Sequence, residues 1–160
     1  MKLIGTLDRT RAAVRVEDSF ATTVDDLWDA CTAPDRLARW IAEVDGDLRP
    51  GGQFRARFTS GWEGTGRVEV CEPPGHLVVV TQQAGESTTS TIEATLTADG
   101  ARTTLVVEER GVPVDLLPAY GAGWQIHLED LRAALDGREG CDVAARWAEL
   151  IGHYRSARTT

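Results

Sequence analysis

Residues 117–135 read Leu117-Pro118-Ala119-Tyr120-Gly121-Ala122-Gly123-Trp124-Gln125-Ile126-His127-Leu128-Glu129-Asp130-Leu131-Arg132-Ala133-Ala134-Leu135. Leu117, Tyr120, Trp124, Leu128, Leu131 and Leu135 advance by 3, 4, 4, 3 and 4 positions, which places them on one stripe of a long helix. Gly121 and Gly123 weaken its first turns, which predicts an irregular start. Gly137 and Gly140 stop it. This segment decides the fold, because nearly everything before it follows a different period and needs a cover.

From about Val44 to Arg110 the period is two. Phe54, Ala56 and Phe58 alternate with Gln53, Arg55 and Arg57, and Val68 and Val70 alternate with Arg67 and Glu69. Leu77 to Gln82 is rich in β-formers, Ile92, Ala94 and Leu96 alternate with Glu93 and Thr95, and Leu105 to Val107 completes the series. Turn chemistry separates the runs at Arg49-Pro50-Gly51-Gly52, Pro73-Pro74-Gly75 and Asp99-Gly100. Short strands joined without intervening helices make an antiparallel meander.

Upstream, Ala13 to Phe20 alternates as a half-buried strand. Thr22 or Thr23 then caps a short helix, with Asp25 or Asp26 as capping-box partner and Val24, Leu27, Trp28 and Cys31 on one face. A second short helix opens at Pro34 and presents Leu37, Trp40 and Ile41. Downstream, Val143, Trp147, Leu150, Ile151 and Tyr154 form the apolar face of an appended helix at about 141–158. That face packs on its own domain, or alternatively on a second copy as a homodimer. The fold class is therefore α+β: a curved antiparallel β-sheet covered by a long C-terminal helix, two short helices after the first strand, and one appended C-terminal helix. We read residues 1–160 as one domain with its core at about 12–136. A curved sheet encloses more volume than one helix fills, which predicts a cavity between them.

Composition narrows the function. Seventeen basic against twenty-five acidic residues give a net charge of −8, the wrong sign for a protein that tracks nucleic-acid phosphates. The longest wholly apolar run is Leu77-Val78-Val79-Val80, too short for membrane insertion, and the N-terminal residues lack the apolar core of a secretory signal. A cytoplasmic protein is the expectation. Cys31, Cys71 and Cys141 show no CxxC and no Cys/His zinc spacing. No GxSxG, Cys-His pair or dinucleotide fingerprint occurs, so we expect neither metal nor cofactor.

The candidate site is the space under the helix. Tyr120 and Trp124 lie on its inner stripe and His127 on its shoulder. One reading makes Tyr120 and His127 polar anchors in an apolar pocket, with Trp124 as a stacking wall. The other makes Trp124 and Tyr120 core and His127 a partly exposed helix residue. Trp40, Phe54, Phe58, Trp62, Val68, Val80 and Leu131 are the further candidates for the lining. Trp62, within Gly61-Trp62-Glu63-Gly64-Thr65-Gly66, is placed at a strand end or cavity mouth. Glu108 and Glu109 end a strand on opposite sides. We read them as a salt-bridged sheet edge, with an inward carboxylate of raised pKa as the alternative.

Several strings resemble the START-like, helix-grip superfamily (SRPBCC), and within it the family of the activator of heat-shock protein 90 ATPase. They are Thr23-Val24-Asp25-Asp26-Leu27-Trp28-Asp29-Ala30, Thr32-Ala33-Pro34-Asp35-Arg36-Leu37-Ala38-Arg39-Trp40 and Leu48-Arg49-Pro50-Gly51-Gly52-Gln53-Phe54. Pro73-Pro74-Gly75-His76-Leu77 and Gly123-Trp124, with Leu128 and Leu131, complete the set. The resemblance implies a scaffold that encloses a small apolar or amphipathic molecule. Superfamily members bind lipids, hormones or polyketides, and some catalyse cyclisation or dehydration. Three functions follow as expectations: a ligand-binding module, a cyclase- or dehydratase-like enzyme using Tyr120, His127 or an inward carboxylate, and a co-chaperone or regulatory interaction module.

Overall fold

The computed structural model describes residues 2–157; the ends of the predicted domain, residue 1 and residues 158–160, lie outside the described residues. Eight strands form one antiparallel sheet: β1 (Gly5–Asp8), β2 (Ala13–Phe20), β3 (Ala42–Gly46), β4 (Gln53–Phe58), β5 (Glu63–Glu72), β6 (His76–Gln83), β7 (Ser90–Asp99) and β8 (Arg102–Arg110). Their order across the sheet is β1-β2-β8-β7-β6-β5-β4-β3. β3 to β8 are a meander, and β2 joins its far end beside β8, so the two short helices between β2 and β3 bridge the ends of the curved sheet. Those helices are α1 (Val24–Thr32) and α2 (Pro34–Trp40). The cover is α3 (Leu117–Leu135), and α4 (Val143–Ser156) follows it.

Local chemistry accounts for the boundaries. The Thr23 hydroxyl accepts the Asp26 amide N–H at 3.2 Å, capping α1, and Pro34 occupies the first turn of α2, where no amide donor is missed. Trp40 ends α2 with its indole N–H donated to the Ala30 carbonyl at 2.9 Å, which locks the two helices together. Gly137, at φ 72°, takes the left-handed turn after α3.

Four features differ from the expectation. β1 was not expected; it holds one fully buried residue, Leu7, too little to show as a pattern, and it pairs with β2 from Gly5↔Val16 to Asp8↔Ala13. The start of α3 is regular, preceded by a single 3-10 turn at Val114–Leu116. Gly121 is there for space, since a Cβ would stand 2.7 Å from Tyr154 Cδ1. The third difference is a register shift between Val68 and Val70 in β5, which turns Val70 outward opposite Val78 and brings Cys71 inward opposite Leu77. The fourth is Val80. Leu77, Val79 and Thr81 face the interior, so Val80 lies on the outer face beside Arg67 and Thr91. An unbroken Leu-Val-Val-Val run carries no alternation from which to choose the face, and the inward residue next to it is polar.

Burial on α3 extends well beyond one stripe. Gln125, Ile126, His127 and Asp130 are as buried as Leu128 and Leu131, because β1, β2, α2 and α4 pack around the helix as well as the sheet. α4 sits on α3 of its own chain with Leu150, Ile151 and Tyr154 inward. Tyr154 pins three segments: its hydroxyl donates to Gln125 Oε1 at 2.6 Å and accepts the Gly5 amide N–H at 3.1 Å. No described helix is long and apolar enough to cross a membrane.

Candidate functional site

Between the sheet and α3 lie two adjoining spaces. The outer one, about 740 Å3, opens to solvent and is walled by Trp62 from the β4–β5 turn, Tyr120 and Gly123 from α3, and Trp147 from α4. The inner one, about 170 Å3, is almost wholly apolar and is lined by Leu37, Ile41, Phe54, Val68 and Leu105 among others. Phe58, Thr81, Ile92 and Trp124 line both, so they form the partition between chamber and vestibule.

Of the expected lining residues, Phe58, Trp62, Tyr120, Trp124 and His127 border the outer space, and Trp40, Phe54 and Val68 the inner one together with Phe58 and Trp124. Two do not line either. Val80 is on the opposite face of the sheet, and Leu131, fully buried, packs into the core one turn beyond the cavity. Trp62, in the β4–β5 turn, stacks edge-on against Phe58 at 5.0 Å.

His127 is only 3% exposed. It is wedged edge-on between Phe58 at 5.6 Å and Trp124 at 5.7 Å. Burial pushes its pKa down to about 4, against a hydrogen bond that the imidazole donates to the Trp40 main chain and that favours the charged form. Its Nδ1 has no hydrogen-bond partner. The shoulder position on the helix did not foretell this burial, because α2 supplies the cover.

The polar centre is Glu109, 5% exposed. The strand alternation of β8 sends Glu108 outward, to Arg11 at 2.9 Å and Arg110 at 2.9 Å. It sends Glu109 inward to the cavity. The expectation of a salt-bridged pair therefore holds for Glu108 alone. Glu109 Oε2 accepts the Ser90 hydroxyl at 2.6 Å and Oε1 accepts the Trp124 indole N–H at 2.8 Å. Ser90 is in turn hydrogen-bonded to Thr81 at 3.0 Å. Burial raises the Glu109 carboxyl above the usual range, more than these two donors lower it. Tyr120, half-buried across the cavity, is raised by its own burial and then by the charge of Glu109. The site thus holds one buried carboxylate, one neutral imidazole and one phenol among aromatic walls. Among the described residues no cluster of side chains is arranged to hold a metal ion.

A long helix held in a curved antiparallel sheet, with a part-polar cavity between them, defines the START-like, helix-grip class. Within that class the chain belongs to the family described as Activator of Hsp90 ATPase homolog 1-like protein, whose model matches residues 21–136. Among solved structures, CalU16 from Micromonospora echinospora is similar at 28% identity and TM-score 0.76, over 90% of this chain and 86% of that one. DynU16, a protein of the dynemicin biosynthetic locus, is similar at 28% identity and TM-score 0.74, over 79% of this chain and 48% of that one. MLL2253 from Mesorhizobium loti is 27% identical with TM-score 0.70, over 78% of this chain and 97% of that one. No curated protein sequence matches the chain.

Proposed function

We propose that the protein binds a small amphipathic molecule between the sheet and α3. The inner chamber takes the apolar part and the vestibule takes the polar part. The observation that carries this is the graded lining itself: an apolar chamber separated by side chains such as Trp124 and Phe58 from a wider space that contains a buried carboxylate. The cavity's size is in the range of small-molecule sites, mostly hydrophobic with a few placed polar groups. Similarity to CalU16 and to a protein of the dynemicin locus supports the same reading at the level of scaffold.

The cavity offers a clean blocking variant. Gly123 lines the vestibule, and a Cβ there meets nothing within 4 Å. Gly123→Trp fills the space from within while leaving the packed face of α3 alone. Calorimetric titration with 4-phenylbutanol is expected to show binding to the wild type and at least about tenfold weaker binding to the variant. Equal affinity for both would place the probe elsewhere and overturn the reading.

An acid–base enzyme of the cyclase or dehydratase kind is the second reading, favoured by Glu109, Tyr120 and His127 bordering one cavity. It requires two of these groups to act on one bound molecule. Glu109→Gln and Tyr120→Phe would then each abolish turnover of a substrate while leaving it bound. An interaction module would need an exposed apolar patch, and among the described residues Leu116 is the one large hydrophobic side chain exposed.

A further inference from the structure

Glu109 is a buried acid without a cation. Its two hydrogen-bond donors, the Ser90 hydroxyl and the Trp124 indole N–H, are both neutral. Among the described residues it makes no salt bridge, although most of the acidic residues nearby on the sheet surface are paired with arginines. An ionised carboxylate has about four acceptor positions, and these two donors use two of them. The rest of the carboxylate borders the cavity.

The surroundings favour positive charge. Phe58, Trp62, Tyr120, Trp124 and Trp147 border the same space, and the faces of aromatic rings attract cations. Among the described residues, no element facing Glu109 contributes a positive charge: β2 brings Val14 and β7 brings Ile92 as its cross-strand partners, β7 also brings Ser90, β6 brings Thr81, and α4 lines the same cavity with Val143 and Trp147. α3 brings Tyr120, Trp124 and His127, and the imidazole is neutral above about pH 4. The acidic Glu86 acts on Tyr120 and adds to the negative potential.

We propose that the cavity selects a protonated amine carrying an apolar tail. The ammonium N–H groups pair with the free acceptor positions of Glu109 among the aromatic rings, and the tail enters the inner chamber lined by Phe54, Val68 and Leu105. This rests on the binding reading above and adds to it the charge of the ligand. A protonated amine is favoured over a quaternary ammonium because the carboxylate still has room to accept hydrogen bonds.

Three matched probes test it: 4-phenylbutylamine, 4-phenylbutanol and 4-phenylbutyrate, titrated calorimetrically at pH 7.5. The amine is expected to bind about tenfold or more tighter than the alcohol, and the carboxylate more weakly than both. Glu109→Gln keeps a side chain able to accept from Trp124 and donate to Ser90, and is expected to erase most of the amine's advantage. A variant-free measurement stands beside it. As pH falls from 8 toward 4.5, below the burial-raised range of Glu109, the wild type's amine-to-alcohol affinity ratio shrinks, because Glu109 takes up a proton and no longer pairs with the ammonium. Alcohol binding with no preference for the amine, a preference that survives in Glu109→Gln, or a ratio flat with pH would each overturn the charge assignment while leaving the cavity in place. Failure of all three probes to bind the wild type would overturn the cavity reading itself.

Discussion

Two glycines of α3, two residues apart and so on opposite faces of the helix, should respond oppositely to the same substitution. Alanine in place of glycine in a helix interior favours the folded state by about 0.8–1 kcal/mol through backbone entropy. At Gly123 nothing lies within 4 Å of the new methyl, so Gly123→Ala should gain close to that full amount. At Gly121 the methyl would stand 2.7 Å and 2.9 Å from Tyr154 Cδ1 and Cε1 and 3.1 Å from Leu7 Cδ2. Overpacking of this kind costs about 1–3 kcal/mol. Moving the Tyr154 ring also strains its bonds to Gln125 at 2.6 Å and Gly5 at 3.1 Å, each worth about 1 kcal/mol. The net expectation for Gly121→Ala is a loss of roughly 1–3 kcal/mol. Urea denaturation followed by far-ultraviolet circular dichroism measures both variants on one scale. Stabilisation by both, or by neither, would refute the seating of Tyr154 against Gly121 and with it the docking of α4 on α3.

Three further outcomes follow from the buried polar groups. Glu109, raised by burial, contributes stability that is fully present below the ordinary carboxylate range and is lost as pH rises through its folded-state value. Stability curves of wild type and Glu109→Gln should therefore diverge in the variant's favour as pH rises above about 4.5, and parallel curves would contradict the burial. His127, lowered from 6.5 to about 4, contributes stability present above pH 6.5 and lost as pH falls toward 4, about 3 kcal/mol over that window. An imidazole seen by nuclear magnetic resonance to titrate near 6.5 would rule this out, and His127→Phe should flatten that part of the pH profile. Tyr154→Phe leaves Gln125 Oε1 and the Gly5 amide each short of one partner and should cost about 1–3 kcal/mol in the same denaturation assay; a loss within 0.5 kcal/mol of zero would show the hydroxyl to be idle.

Much of the fold was legible because its signals are local. The Thr23 cap, Pro34 in the first turn of α2, the alternation of Phe54, Ala56 and Phe58, and the stripe from Leu117 to Leu131 all read at short range. What stayed hidden depends on partners far along the chain. β1 shows no pattern, since its place is given by pairing with β2 and by Tyr154 bonding Gly5. The shift in β5 reverses which of Val70 and Cys71 faces inward, and no residue type there announces it. The site was legible as a set of aromatic residues but not by its polar centre. Glu108 and Glu109 are adjacent and chemically identical, so the choice between them is made by the register of β8 against β2 and β7. His127 is buried by α2, through Trp40, in a contact that no spacing within α3 encodes.

Occupancy of the cavity is the central claim, and native mass spectrometry of the protein purified from its own host tests it most directly. The account predicts a wild-type mass above that of the chain, with one recurrent small molecule released on denaturation, and a Gly123→Trp variant that carries none. The same compound retained by the Gly123→Trp variant would contradict it, because a ligand held with the vestibule filled is not held between the sheet and α3.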